Sequence, residues 1–480
     1  MNAKKIILNC GCLLLSATSV FATKKTKEKP TRPNIIYILA DDLGYGDVGC
    51  YGQKTIKTPN IDKLAEEGMM FTQHYAGSTV CAPSRGTLMT GLHTGHAFIR
   101  ANGKHQLRHD PYDITVAKFL KDAGYDTAMI GKASTGCSTT PGQVNKKGFD
   151  HFFGYLDHAQ AHSYFPKFLH RDSVKIEFPG NGGNNTWEGD TYSHDLFVED
   201  AVSFIEKERK NKPFFLFYAS ALPHAQLYAP EKFKTDYKGK FSEKPFSARH
   251  YGTCEDPNAT TAGMIARLDW EIGEILKTLK KEGLDKNTII MFSSDNGPHS
   301  AGGRKAEFFN SSGPFRGIKR DLYEGGIRVP FIVRWPGVVK KGSESDHISA
   351  FWDLLPTLTE IAKAKTPAKI DGISFLPTLR GKRKRQKEHD HLYWEFFGKG
   401  GKQAVRKGEW KAVRIGLQKN PNASIELYNL TTDPAETKDI SARHPEIVKE
   451  MARLMRNSRT IPKGDPLYRS KKTKGKKQIK

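Results

Sequence analysis

Residues 34–42 read NIIYILADD: six apolar or aromatic positions in a row, entered from an asparagine and left through two carboxylates. The run is continuous rather than alternating, which is the pattern of a strand covered on both faces. Four further stretches repeat it: DTAMIG (126–131), FFLFYAS (214–220), TIIMFSS (288–294) and VPFIVRW (329–335). All five read as buried parallel strands. Between them lie helical patterns at 62–69, 116–124, 196–210 and 261–283. The last carries Met264, Leu268, Ile272, Ile275, Leu276 and Leu279 at helical spacing. Strands alternating with helices give an α/β sandwich, helices on both faces of a mostly parallel sheet.

The residues that leave these strands carry the chemistry. NIIYILA runs into Asp41-Asp42, TIIMFSS into Asp295-Asn296, DTAMIG into Lys132, and FFLFYAS on to His224. In open α/β sheets ligands bind outside the carboxyl ends of the strands. Parallel strands therefore bring these groups to one edge, although they are far apart in the chain. Asp41, Asp42, Asp295 and Asn296 offer hard oxygen donors without cysteine or histidine spacing, so zinc is disfavoured and Ca²⁺ or Mg²⁺ fits. Taken singly, each acidic pair is also an ordinary turn or helix cap.

The remaining features bound the setting. The chain has 480 residues, 37% hydrophobic and 10% aromatic, which excludes a wholly disordered chain. No apolar run after residue 22 approaches the roughly 20 residues needed to span a bilayer. Residues 1–22 read as a secretory signal: Lys4 and Lys5, the apolar stretch IILNCGCLLLSATSV, then small residues ending at Ala22. An exported chain, periplasmic or extracellular, is expected. Its four remaining cysteines are too few for a disulfide framework. The formal net charge is +24, much of it in KKTKEK (24–29), KRKRQK (382–387) and KKTKGKKQIK (471–480). Such blocks are solvated tails or attract a polyanion. After about residue 375 the composition changes. HLYWEFF (391–397), KQAVRKGEWKAVRI (402–415) and IELYNLTTD (425–433) read as short antiparallel strands, and 445–458 as a helix. The expected organisation is a leader (1–22), a catalytic domain (23–380), a small C-terminal antiparallel subdomain (381–460) and a basic tail (461–480).

CAPSRGTLMTG (81–91) heads a Cys-x-Pro-Ser-Arg motif. With the strand ending ADD before it, the chain resembles the type I sulfatases of the alkaline phosphatase superfamily. The resemblance runs over about residues 32–440, through ADDLGYGD (40–47), TPNIDKLAEEG (58–68), GYDTAMIGK (124–132), ALPH (221–224), SDNGPH (294–299), GIKRDLYEGGIRVPFIVRWPG (317–337) and ELYNLTTDPAE (426–436). It implies an alkaline phosphatase-like α/β/α sandwich and a maturation enzyme that oxidises Cys81 to formylglycine. It also implies Ca²⁺ held by Asp41, Asp42, Asp295, Asn296 and the modified residue 81. One hydroxyl of the hydrated aldehyde would attack sulfur, and the other would expel sulfate, splitting one hard step in two. Arg85 would hold the nucleophile, Lys132 and Lys319 would bind sulfate oxygens, and His224 would protonate the leaving oxygen.

One departure stands out. Many relatives read Gly-Lys-Trp-His where this chain reads Gly131-Lys132-Ala133-Ser134. Ser134 therefore occupies the position of a histidine that assists sulfate elimination. The segment 148–171 resembles one in bacterial enzymes that desulfate galactose-type sugars. His162, His299, Arg320 and Arg328 are candidates for the sulfate or sugar pocket, and Tyr164, Phe165 and Trp394 for stacking or for the core. The expected activity is hydrolysis of O-sulfate on a polysaccharide or glycosaminoglycan fragment, with no nucleic-acid partner. The alternatives are a phosphate or phosphonate ester hydrolase on the same scaffold, and a weakly active protein that binds polyanionic glycans.

Overall fold

The structure, a computed structural model, describes residues 32–103, 106–158, 160–183, 189–209, 212–248 and 251–468. The expected leader and the last twelve residues of the basic tail fall outside these.

The main sheet has ten strands: β1 (Asn34–Ala40), β2 (Met69–Phe71), β3 (Asp126–Lys132), β4 (His151–Tyr155), β5 (Phe168–Arg171), β6 (Val174–Glu177), β7 (Phe214–Ala219), β8 (Thr288–Ser294), β9 (Phe331–Arg334) and β10 (Ser343–Ser345). Their order is β10-β2-β9-β8-β1-β7-β3-β4-β5-β6. The centre, β8-β1-β7-β3-β4, is parallel throughout. β9 was expected to be parallel and is antiparallel to β8. A continuous apolar run reports burial on both faces; it carries no information about direction.

Seven helices matter for the layers: α1 (Pro59–Glu66), α2 (Cys81–Thr90), α3 (Val116–Asp122), α4 (Ser193–Glu206), α5 (Pro257–Lys281), α6 (Leu354–Ala362) and α7 (Pro445–Asn457). Strand alternation divides the core in two. On β1, Ile36 and Ile38 face a cluster that includes residues of α1, α4 and α5. Ile35, Tyr37 and Leu39 face one built with α2, α3 and α6. The result is the α/β/α sandwich.

A second, antiparallel sheet joins β11 (Leu392–Phe396), β12 (Lys402–Lys407), β13 (Trp410–Ile415) and β14 (Glu426–Asn429) in sequence order. Tyr393 on one face packs with Met451, Leu454 and Met455 of α7. Trp394 on the other packs with Tyr75 and Trp352, and its indole N–H donates to the Ala76 carbonyl at 2.9 Å. Trp394 is thus core, as are the nearly buried Tyr164 and Phe165; none of the three offers a ring to a sugar.

Candidate active site

The register of the parallel strands builds the site. Ala40 pairs with Ser294, so the acidic pairs that follow emerge side by side. The Asp295 N–H donates to the Ala40 carbonyl at 3.0 Å. Asp42 then turns into the left-handed region, φ 64°, and its N–H meets Asp295 Oδ1 at 3.1 Å. Aspartate tolerates that conformation better than most residues. Lys132 ends β3, on the far side of β7. Its ammonium reaches Asp41 and hydrogen-bonds Oδ2. Gly131 before it has φ 103°, and a Cβ there would lie 2.0 Å from the Ala219 carbonyl oxygen. Only glycine lets the strand end this way.

Cys81 is the first residue of α2, and Arg85 follows one helical turn later on the same face. Both are buried. Arg85 Nε lies 2.9 Å from Asp295 Oδ2, Nη2 3.5 Å from Asp41 Oδ2, and Nη1 donates to the Lys132 carbonyl at 2.5 Å. Lys319 Nζ donates to Asp42 Oδ2 at 2.6 Å. His224 Nδ1–H donates to the Ala225 carbonyl, which turns Nε2 toward the site, 3.4 Å from Asp42 Oδ2. Ligand atoms of Asp41, Cys81 and His224 lie within 4.8 Å of one another, as do those of Asp41, Asp42 and Asp295. The groups anticipated at the strand ends thus meet in one buried pocket, with the thiol among them.

Charge in this pocket is strongly perturbed. Burial and the neighbouring Asp41 push Asp295 up to about 7, against the pull of Arg85. Burial works the same way on Asp42, but the Lys319 ammonium wins and holds it well below the usual carboxylate range. Burial depresses Lys132 and Asp41 more than compensates, so its pKa is raised. Burial, reinforced by Lys319, keeps His224 well below the ordinary histidine value.

The donors fit a hard divalent cation. Asp41 Oδ1 and Asn296 Oδ1 are buried and accept no hydrogen bond. Buried acceptors of that kind are costly unless something positive meets them. Asn296 Nδ2 donates to Asp42 Oδ1 at 2.7 Å, which settles which amide atom remains for a ligand.

The remaining candidates divide. His162 stacks on His224, centroids 4.7 Å apart and planes 12° from parallel. His299 lies behind His224, but both of its nitrogens bond the backbone. Nε2–H donates to the Pro223 carbonyl at 3.0 Å, and Nδ1 accepts from Ala301 N–H at 3.1 Å. It buttresses the site rather than presenting a free nitrogen. Arg320 is exposed with φ 80°, and its N–H donates to the Thr79 carbonyl, two residues before Cys81. Arg328 is not brought to the pocket. Its Nε donates to the Thr72 carbonyl at 2.7 Å, Nη1 lies 3.2 Å from Glu324, and its guanidinium covers Phe315. Chain proximity to the motif was the only reason to place it there.

Three supporting roles were not read from the sequence, although Tyr164 itself was singled out there. Asn102 Nδ2 lies 3.6 Å from Cys81 Sγ while its Oδ1 accepts from Ala82 N–H. Arg304 bonds Asp47 at 2.6 Å and the Asp42 carbonyl at 3.3 Å, bracing the ADD turn. The Tyr164 hydroxyl donates to the carbonyls of Ala221 at 3.1 Å and His224 at 2.7 Å, fixing the His224 loop. Asp47 had a signal, inside ADDLGYGD. Ser134, in place of the common histidine, is buried, and its hydroxyl has no hydrogen-bond partner.

A family model described as Sulfatase matches residues 33–364. The chain belongs to the sulfatase family. A second model, N-sulphoglucosamine sulphohydrolase C-terminal, matches residues 316–460 of this sulfatase. It is 30% identical to the N-acetylgalactosamine-6-O-sulfatase of Bacteroides thetaiotaomicron over 94% of this chain and 98% of the other. It is 31% identical to human N-acetylgalactosamine-6-sulfatase over 73% and 66% of the two chains. The solved structure of Ps i-CgsB in complex with k-i-k-neocarrahexaose matches with TM-score 0.75 and 28% identity over 92% and 96%. The phosphonate monoester hydrolase of Agrobacterium radiobacter shares the fold, TM-score 0.65 at 21% identity over 89% and 95%. The protein is therefore a sulfuric ester hydrolase of the alkaline phosphatase superfamily. No helix among the described residues is long and apolar enough to cross a membrane.

Proposed function

We propose that this sulfatase is exported and removes O-sulfate from a carbohydrate, a sulfated galactose-type polysaccharide or glycosaminoglycan fragment. Cys81, oxidised to formylglycine by a maturation enzyme, is its nucleophile, and Ca²⁺ its metal. The leader-like first 22 residues support export. The names of relatives matched over most of this chain support the sugar.

One observation carries the mechanism: Cys81 sulfur, an Asp41 oxygen and a His224 nitrogen lie within 4.8 Å of one another, beside two buried acceptors without donors. Asp41, Asp42, Asp295 and Asn296 would hold the cation, which supplies Lewis-acid charge for the sulfuryl oxygens and the hydrated aldehyde. Arg85, locked between Asp41 and Asp295, orients residue 81. The first turn of α2 adds its positive dipole end. Lys132 and Lys319 are fixed in place before substrate arrives, so they meet charge developing on sulfate without reorganisation. His224 Nδ1 is committed to the Ala225 carbonyl, so Nε2 faces the leaving sugar oxygen. This nitrogen must first gain a proton, a charge that the bound sulfate anion would favour against burial, before it can pass one to that oxygen. With Ser134 where many relatives have histidine, another group or water must take the proton that leaves during sulfate expulsion, or turnover is slow.

The test is sulfate release from a panel of defined sulfated saccharides, run beside a phosphate monoester, with peptide mass measured at position 81. Release from a sulfated sugar with formylglycine at 81 supports the reading. Turnover of the phosphate ester alone, or release with an unmodified thiol, refutes it.

A further inference from the structure

Beside the nucleophile lies a second cavity, of about 490 Å³, lined by Phe98, Gln106, Leu107, Arg108, His109, Tyr112 and Pro141. Ligand pockets commonly measure roughly 300–1,000 Å³. No residue of the catalytic pocket lines it, but one of its walls packs against the first turn of α2. Leu107 forms part of its wall and packs with Ile99 on Ala82, the residue after Cys81. Asn102, from the same stretch, donates to Cys81. The Leu107 N–H donates to the Thr135 carbonyl at 2.9 Å, tying the wall to the strand exit beyond Lys132.

The walls are unusual. Seven large hydrophobic residues are exposed among the described residues, three of them aromatic, and two of those three, Phe98 at 45% and Tyr112 at 60%, line this cavity. Scattered exposed apolar residues need no explanation; exposed aromatics gathered in a concavity beside a reactive centre do. Arg108 stands between them, its guanidinium carbon 4.7 Å from the Phe98 centroid and 5.3 Å from that of Tyr112. Asp113 grips its fork, Nε to Oδ2 at 3.0 Å and Nη2 to Oδ1 at 2.8 Å, leaving Nη1 outside the pair. The platform is thus stiffened before anything binds.

We propose that Phe98, Tyr112 and Arg108 form the binding site for the sugar ring next to the sulfated one, and so set the preference for polymer over monosaccharide. This rests on the carbohydrate reading above. A pyranose presents an apolar C–H face and a polar rim. The aromatic rings match the face, and Arg108 matches the hydroxyls, carboxylate or second sulfate of the rim. The aromatic side chains lose little rotamer freedom on binding, which suits them to such contacts.

The experiment compares a sulfated hexasaccharide with the corresponding sulfated monosaccharide, using the matured enzyme and the variant Phe98→Ala/Tyr112→Ala. The expected result is a rise of about tenfold in the hexasaccharide-to-monosaccharide KM ratio, with Tyr112→Phe restoring most of the preference. Equal change on both substrates, or none on either, overturns the subsite. If the parent enzyme cleaves 4-nitrophenyl sulfate but no sulfated saccharide, the carbohydrate reading itself falls. Circular dichroism and melting temperature confirm that the variants are folded.

Discussion

Two clusters of charge are buried in this molecule, and they are finished differently. Under the C-terminal sheet, Lys411 lies 2.8 Å from Glu324 and 3.1 Å from Glu436. The Tyr75 hydroxyl donates to Glu324 at 2.6 Å, Arg328 stands 3.2 Å away, and the Glu324 N–H meets Glu436 Oε2 at 2.6 Å. Every carboxylate oxygen there has a protein cation or donor beside it, although Glu436 Oε1, 3.1 Å from the Lys411 ammonium, accepts no aligned hydrogen bond. In the catalytic pocket Asp41 Oδ1 and Asn296 Oδ1 have none. The first cluster is closed and joins two parts of the fold. The second is open, and its unanswered acceptors are the mark of a site.

Several changes separate the two. Cys81→Ala should lower sulfate release by more than about a thousandfold, with unchanged circular dichroism and melting temperature; retained turnover would remove the nucleophile. Chelation should abolish activity, and calcium should restore it and raise the melting point. Free metal at 100 times its dissociation constant adds about 2.7 kcal/mol of stability. Magnesium restoring activity equally well would argue against calcium. Lys411→Met should act on the closed cluster alone, lowering urea-derived stability by about 3–5 kcal/mol, because two buried carboxylates lose their cation. KM of the folded fraction should stay the same. Lys319→Ala should cost roughly 10²–10³ in kcat/KM, with a far smaller effect on melting.

The smallest expected effect is a pH slope. Burial, reinforced by Glu324 and opposed by Lys411, pushes Glu436 from 4.5 up to about 7. The folded chain then keeps a proton that the unfolded chain loses, so this stabilisation is full below pH 4.5 and fades as pH rises through about 7. Glu436→Gln should flatten the decline in melting temperature between about pH 4.5 and 7. A slope equal to that of the parent would assign it to other groups.

The open cluster was legible in the sequence because parallel strands export their C-terminal residues to one edge. Asp41, Asp42, Lys132, His224, Asp295 and Asn296 could be placed together without coordinates. The direction of the strand at Phe331–Arg334 could not be read, since its apolar run is the same either way. Arg328 lay in a matching motif, yet its guanidinium points into the interface with the C-terminal sheet. Asn102 and the Phe98–Tyr112 platform left no pattern, because the loop carrying them is defined by what it rests on. Leu107 on Ala82 is a contact between side chains, with no periodic trace in the chain.

The bond from the Trp394 indole to the Ala76 carbonyl joins residues 318 positions apart. It anchors the approach to the helix that begins with Cys81. During synthesis, that anchor does not exist until most of the chain has left the ribosome. On the proposed oxidation of Cys81, whose thiol is 1% exposed in the finished protein, the time before that anchor forms is when an enzyme would most readily reach it.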